Sequence, residues 1–445
     1  MGALLVPSHL FVLAEALDSL GLLGPHHRFD GLIDEPPARR PAPPLWIAGG
    51  LMWDADGGLR GNPGIGCEGG RLVTRRPEGA VEIDAHGLTL LPGLIDMHVH
   101  ALGGSFDGEL MLAHGVTTAR DVGSDLSGVL ARRDDDAAGR RLGPRLFVTG
   151  PYLVAGEEAT DQEVSAPGPQ QAAATVARLA EAGVDGIKVH GGIDAGTLEA
   201  VLSAARERGL WVAAHLETIA ASDAARLGVS TIEHASGIDW DGGSIRDDNA
   251  RDALARSLAA TRVAITPTLV VSEHAFTMPR LLDVNDPSLQ YFPWLVRRGW
   301  IASQLANASA ARLSPEEELR RRTRLVRQQR FVARFEAAGG RVLAGSDAPA
   351  FLVAHGDGLL RELELLAEAG LTWDAALEAA TSEAAAALGR HGDLGTLAPG
   401  ARADLLLISG DPDRLGIAAI RRTAWVILDG RVVLRRSIDT TIPLQ

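Results

Sequence analysis

Two histidines one residue apart, His98-Val-His100, close an apolar run early in this chain. Other ionisable residues close later apolar runs: Lys188-Val-His190, His215, Glu233-His234 and Asp347. Side chains at i and i+2 of a strand point to the same face. His98 and His100 therefore read as one inward pair, and Lys188 and His190 as another. Imidazoles together with a carboxylate are the donor set of a divalent-metal site, zinc foremost. A single histidine would carry little weight, but five strand ends bearing such groups imply a metal centre.

Lys188 is the one lysine among 43 basic residues; the rest are arginine. Arginine cannot give up its proton, whereas a lysine can become a neutral, nucleophilic amine. Beside two divalent cations an ammonium would be repelled by several kcal/mol per unit charge even at an effective dielectric of ~20, so its pKa should fall. A neutral amine adds CO₂ and becomes a carbamate, a bidentate anion able to bridge two metals. Two zinc ions carry four positive charges. A carbamate, Asp347 and a bridging hydroxide offset three of them and leave a Lewis-acidic site.

These groups need elements that bring them to one place. Between residues 91 and 395 an Ala-rich helix repeatedly ends at a glycine, and a short apolar strand and a polar residue follow. MLAHGVTTARD, LAEAGVDGIKVH, AARERGLWVAAH, AARLGVSTIEH and FEAAGGRVLAGSD show the pattern. With LLPGLIDMHVH, PRLFVTG and RVAITPTLVV the strand count is eight. Eight strand–helix units imply a closed α/β barrel, (β/α)8 or TIM-like, whose reactive groups sit at the C-terminal strand ends. His98 to Asp347 spans close to the ~250 residues of such a barrel. Residues 45–90 and 396–445 are strand-and-turn material and are read as one composite β-sandwich built from both chain ends. Residues 1–44 form an N-terminal extension, with a short amphipathic helix at 10–23 and a Pro-rich linker. Ser314-Pro315-Glu-Glu317 predicts a capped helix start for a helix running to Gly339-Gly340. The aromatic-rich stretch 274–313 before it is long enough for a lid or a structural insertion.

Composition narrows the partners. The formal charge is −14, with 57 acidic against 43 basic residues, a poor match for nucleic acid or an anionic membrane. The one cysteine, Cys67, permits neither an intramolecular disulfide nor a cysteine-based zinc site. No apolar run approaches a membrane span. Residues 1–16 are apolar but lack a basic start, so a cytoplasmic location is the expectation.

The chain resembles the amidohydrolase superfamily, in its binuclear branch of imidazolonepropionase-related prolidases and carboxypeptidase-like amidohydrolases. The resemblance covers roughly residues 45–440. It rests on Leu91-Pro-Gly-Leu-Ile-Asp-Met-His-Val-His100, Gly115-Val-Thr-Thr-Ala-Arg-Asp-Val-Gly123, Gly186-Ile-Lys-Val189, His215, Ile232-Glu-His234, Gly345-Ser-Asp347 and Gly395-Thr-Leu-Ala-Pro-Gly-Ala-Arg-Ala-Asp404. It implies that His98, His100 and Asp347 bind the more buried metal, that carboxylated Lys188 bridges, and that His215 and His234 bind the second metal. It also implies a homo-oligomer. One departure is Thr149-Gly-Pro-Tyr-Leu-Val-Ala-Gly156, which lacks the Gly-Gly-His segment that follows the third strand in many prolidase-like members.

The expected reaction is hydrolysis of an amide or peptide-like C–N bond in a small molecule, an N-acyl amino acid or a dipeptide. A metal-bridging hydroxide attacks, and Asp347 shuttles the proton. His190 is expected to bond the oxyanion or a substrate carboxylate. Tyr152, Arg120 and His274 are candidate substrate contacts, Arg120 as a carboxylate clamp or as half of a structural pair with Asp121. His114, before a helix-ending glycine, is read as complementing the helix dipole, and the remaining histidines (9, 26, 27, 86, 355 and 391) as surface or loop residues. The same site would also serve a lactone, a carbamate ester or a phosphotriester. A non-catalytic barrel scaffold is the reading from a different class.

Overall fold

The computed structural model describes residues 42–100, 105–158, 160–238, 247–277 and 314–436. The helix expected at 10–23, most of the Pro-rich linker, His9, His26, His27 and nearly all of the 274–313 stretch lie outside these residues.

All eight expected barrel strands form. They are β1 (Leu94–Val99), β2 (Val116–Asp121), β3 (Arg145–Val148), β4 (Gly186–Val189), β5 (Trp211–His215), β6 (Thr231–Glu233), β7 (Ala264–Thr266) and β8 (Arg341–Val342). Most are buried along their whole length, as parallel strands covered on both faces must be. Every ladder among them is parallel: β1 to β3 pair in order, and β4 to β8 pair in order. Further hydrogen bonds link these two runs of strands at both ends. Met97, Asp347 and His100 amides donate to Ala344, His98 and Ala348 carbonyls, joining β1 to the segment after β8. Asp185 N–H donates to Val148 O and joins β3 to β4. The helices Pro169–Ala182 and Ala221–Leu227 stop at Gly183 (φ 92°) and Gly228 (φ 101°), left-handed positions that glycine takes without strain. Ser314 Oγ accepts from Glu317 N–H at the start of helix Pro315–Ala337, as its capping sequence predicts.

Both chain ends meet in a second layer. Leu88–Pro92 pairs antiparallel with Leu405–Ser409, placing Leu90 opposite Leu407, in a six-stranded sheet that also holds 423–428 and 431–435. A four-stranded sheet (71–73, 65–68, 45–48, 81–84) packs with it around Ile47, Leu72, Leu90, Leu405, Leu407 and Ile427. Among the described residues no helix is long and apolar enough to cross a membrane.

Candidate metal centre

The i, i+2 parity of β1 brings His98 and His100 to one acceptor. Their Nε2 atoms lie 3.3 Å and 3.2 Å from the same Asp347 oxygen, Oδ1. Asp347 reaches them because the chain after β8 is laced to β1. Ser346 N and Oγ donate to Asp96 at 3.0 and 2.7 Å, and Asp96 also accepts from His98 N–H. Asp347 itself has φ 54° and His234 has φ 65°, a region that costs a non-glycine residue on the order of 1–3 kcal/mol. At His234 the consequence is local. Strand alternation would send Glu233 and His234 to opposite faces, and the left-handed turn returns His234 to the cluster. Its ring lies 4.6 Å from that of His98 and 4.7 Å from that of His215.

Hydrogen bonds fix which ring nitrogens are free. His98 Nδ1–H donates to Glu233 Oε2 at 2.7 Å, and His100 Nδ1–H donates to Gly123 O at 2.8 Å. Neutral rings so held present bare Nε2 lone pairs. Two lone pairs and a carboxylate oxygen then face one another, an arrangement that repels unless a cation sits between them. Burial disfavours protonation of His100, but the adjoining Asp347 carboxylate outweighs it and raises its pKa. A proton and a metal ion compete for that position. Burial alone would raise Asp347, yet positive charge on the surrounding imidazoles, where they carry a proton, holds it well below the usual carboxylate range. His98 Nε2, Lys188 Nζ and His215 Nδ1 are buried with no hydrogen-bond partner among the described residues. The donor types, the burial and these orphaned atoms fit divalent cations.

Lys188 is fully buried in β4. Desolvation, aided by Arg120, lowers its pKa to about 8 against the pull of Glu233 and Asp347. Its charge acts in turn on His190, His215 and His234, so the amine stands within electrostatic reach of the cluster. His190 stacks on His215 at 4.0 Å, and the tilted Tyr152 ring packs 4.8 Å from it. Burial and then Lys188 drive His190 down to about 3. Its Nδ1 accepts from Gly191 N–H at 2.8 Å, so the neutral ring carries its proton on Nε2. By distance two groups of three donors form among the described residues: His98, His100 and Asp347, and His190, His215 and Glu217. The protonated Nε2 of His190 counts against it as a ligand in the second. His234 holds Thr268 Oγ1 at 2.8 Å through Nδ1.

Some expectations change. Arg120 is no carboxylate clamp and does not pair with Asp121. It is 1% exposed and bonds Met97 O, Thr231 Oγ1 and Glu233 Oε1 at 2.6, 3.0 and 2.7 Å. His355 is buried, not a surface residue, and sits 3.1 Å from His100 O. His274 turns its Nδ1 to Phe351 O at 3.1 Å. Tyr152 is buried, and its hydroxyl donates to Glu163 at 3.3 Å. His86 and His391 are exposed, as expected. Glu233, Thr268 and Asp96 hold ligand candidates in place and had no assigned role. A glutamate beside a candidate ligand at a buried strand end was the available signal for Glu233.

An amidohydrolase family model matches residues 89–433. No curated protein matches the sequence. Among solved structures, bottromycin amidohydrolase is similar at 27% identity and a TM-score of 0.71, with 92% of each chain covered. A Xaa-Pro dipeptidase with bound methionine in its active site aligns at 24% identity and a TM-score of 0.64, over 88% of this chain and 100% of that one. A. niger ochratoxinase aligns at 17% and 0.66, over 90% and 97%. The last two show the fold alone.

Proposed function

This chain belongs to the amidohydrolase family and is a metal-dependent hydrolase, and from there we propose that it cleaves the C–N bond of a small amide, an N-acyl amino acid or a dipeptide, with a pair of divalent metals. The observation that carries this reading is the convergence of two bare Nε2 atoms on Asp347 Oδ1 beside a buried, unpartnered Lys188 amine. His98, His100 and Asp347 would hold one ion and His215 and His234 the other, with Lys188 between them. Bound there, the ions, zinc by donor type, would lower the pKa of water towards 7 and polarise the scissile carbonyl.

The chain's own residues do the rest. Neutral Lys188 Nζ adds CO₂ and releases a proton, and the resulting N–CO₂⁻ group replaces a repelled cation with an anion. Asp347 turns Oδ1 towards the place shared by the two bare Nε2 atoms. Its Oδ2 takes the proton of the attacking water and returns it to the leaving nitrogen. His190 stays neutral because its pKa is depressed. Its Nε2–H donates to the oxygen on which charge develops, or to a substrate carboxylate. Tyr152 keeps that imidazole in place by packing against it.

The test is a metal analysis of the purified protein together with a panel of N-acyl amino acids, dipeptides, lactones, carbamate esters and phosphotriesters at equal enzyme concentration. Close to two equivalents of metal and highest turnover on an amide are expected. Full amidase activity after exhaustive chelation would overturn the proposal, as would turnover confined to the esters.

A further inference from the structure

We propose that Glu233, backed by Arg120, is the positioning residue that commits His98 to binding metal through Nε2. The inference rests on the reading of His98 as a ligand. A ring nitrogen can hold a metal only where it carries no proton, and the partner of the other nitrogen decides which one that is. Here the partner of Nδ1 is a carboxylate, Glu233 Oε2, at 2.7 Å and fully buried. The second carboxylate oxygen, Oε1, accepts from Arg120 Nη2 at 2.7 Å and from the Thr231 hydroxyl.

Arg120 is over-determined in its turn. Its Nε bonds Met97 O, the residue before His98, at 2.6 Å, its Nη1 bonds Thr231 Oγ1, and the guanidinium lies 5.1 Å from the Trp211 ring. One cation thus ties β1, β5 and β6 beneath the cluster and leaves Glu233 a single placement. A strut serving stability alone would need Arg120 and the strands. It would not need the far oxygen of Glu233 to land on a ligand's ring nitrogen.

The test measures metal affinity in the full chain by competition with a chelating dye, for wild type, Glu233→Gln, Glu233→Leu, Arg120→Met and His98→Ala. Loss of such a partner weakens metal binding by about 10–100-fold, and that loss is expected for Glu233→Leu. Glu233→Gln should lose less, because its amide oxygen still accepts from Nδ1–H, and Arg120→Met should fall between the two. Wild-type affinity in Glu233→Leu overturns the proposal, and wild-type affinity in Arg120→Met removes Arg120 from it. If His98→Ala keeps tight metal, the ligand assignment itself fails. If His98→Ala loses metal while Glu233→Leu keeps it, only the positioning role fails. Should Glu233→Leu not fold, ¹⁵N-histidine spectra of the metal-free wild type decide: the resonance missing in His98→Ala should be the Nδ1–H tautomer, and the Nε2–H tautomer overturns the proposal.

Discussion

Two polar clusters in this molecule, one part-buried and one buried, hold their charges in opposite ways. At the joint between barrel and sandwich, Arg145 bonds Asp404 and Asp429 at 3.3 and 2.9 Å, and Arg402 bonds Asp429 at 2.8 Å. Asp429 N–H donates to Asp404 as well. Each of these carboxylates faces a guanidinium supplied by the chain itself. At the barrel mouth four imidazoles and an amine surround Asp347, burial lowers the pKa of His215, His234 and Lys188, and His98 Nε2, His215 Nδ1 and Lys188 Nζ have no hydrogen-bond partner among the described residues. Buried acceptors without donors cost free energy. The joint sets donors against acceptors even though Arg145 Nε and Arg402 Nε find no hydrogen-bond partner among the described residues, whereas the mouth sets acceptors against acceptors and is complete only with cations supplied from outside. A cluster's chemistry shows in what it lacks more than in how many charges it holds.

That contrast predicts where substitutions should hurt chemistry and where they should hurt only the fold. The largest effect belongs to Asp347→Asn. It keeps the shape and removes the proton acceptor, so turnover should fall about 10²–10⁴-fold with substrate still bound, read as kcat against KM. A mild effect would remove Asp347 as the shuttle. Next is Lys188→Ala, which should lose metal and activity together, and added short carboxylic acids should restore part of both by standing in for the carbamate. Full activity without them would refute the bridging role.

Chelation should separate the two clusters thermodynamically. A ligand at 100 times its Kd stabilises the native state by about 2.7 kcal/mol, so stripping metal should lower Tm in wild type and far less in His98→Ala. Asp404→Ala should do the reverse. Arg145 keeps half-exposed Asp429 as a partner, so the cost is on the order of 1–3 kcal/mol, and metal stoichiometry should stay at the wild-type value. A loss of metal in Asp404→Ala would show that the joint and the mouth are not independent.

What the sequence made legible follows the same division. The strand ends carrying His98, His100, Lys188, His215, His234 and Asp347 could be read because each motif is local: an apolar run, a parity, a closing ionisable residue. The sandwich could be read because both halves repeat strand-and-turn texture at opposite ends of the chain. Arg120 was misplaced because its partners lie 111 and 113 residues away on another strand, and nothing local distinguishes Glu233 from the adjacent Asp121 as its counterion. His355 lies in a loop, as read, but its burial was hidden for a similar reason. It follows a short turn with no strand signal, and only the packing against His100 O buries it. The positive φ of His234 and Asp347 is equally invisible, since neither is glycine.

A third buried carboxyl has neither solution available to it and so sharpens the comparison. Glu362 is fully buried in helix Asp357–Ala369. Its Oε2 accepts from Val270 N–H at 2.8 Å, and its Oε1 has no partner among the described residues. With no guanidinium beside it, desolvation raises its pKa from 4.5 to about 8, Asp96 and Glu273 adding to the rise and the Val270 and Leu269 amides opposing it. Between those two values the native state holds a proton that the unfolded state has released. Stability from this group is therefore fully present below about 4.5 and declines as pH rises through about 8. Glu362→Gln cannot ionise and retains an oxygen for the Val270 amide. The Tm of wild type relative to Glu362→Gln should fall steadily from pH 5 to pH 9, by a few degrees at most, with metal content unchanged. Parallel profiles would mean that Glu362 is ionised throughout, and that a buried carboxylate here survives on backbone amides alone.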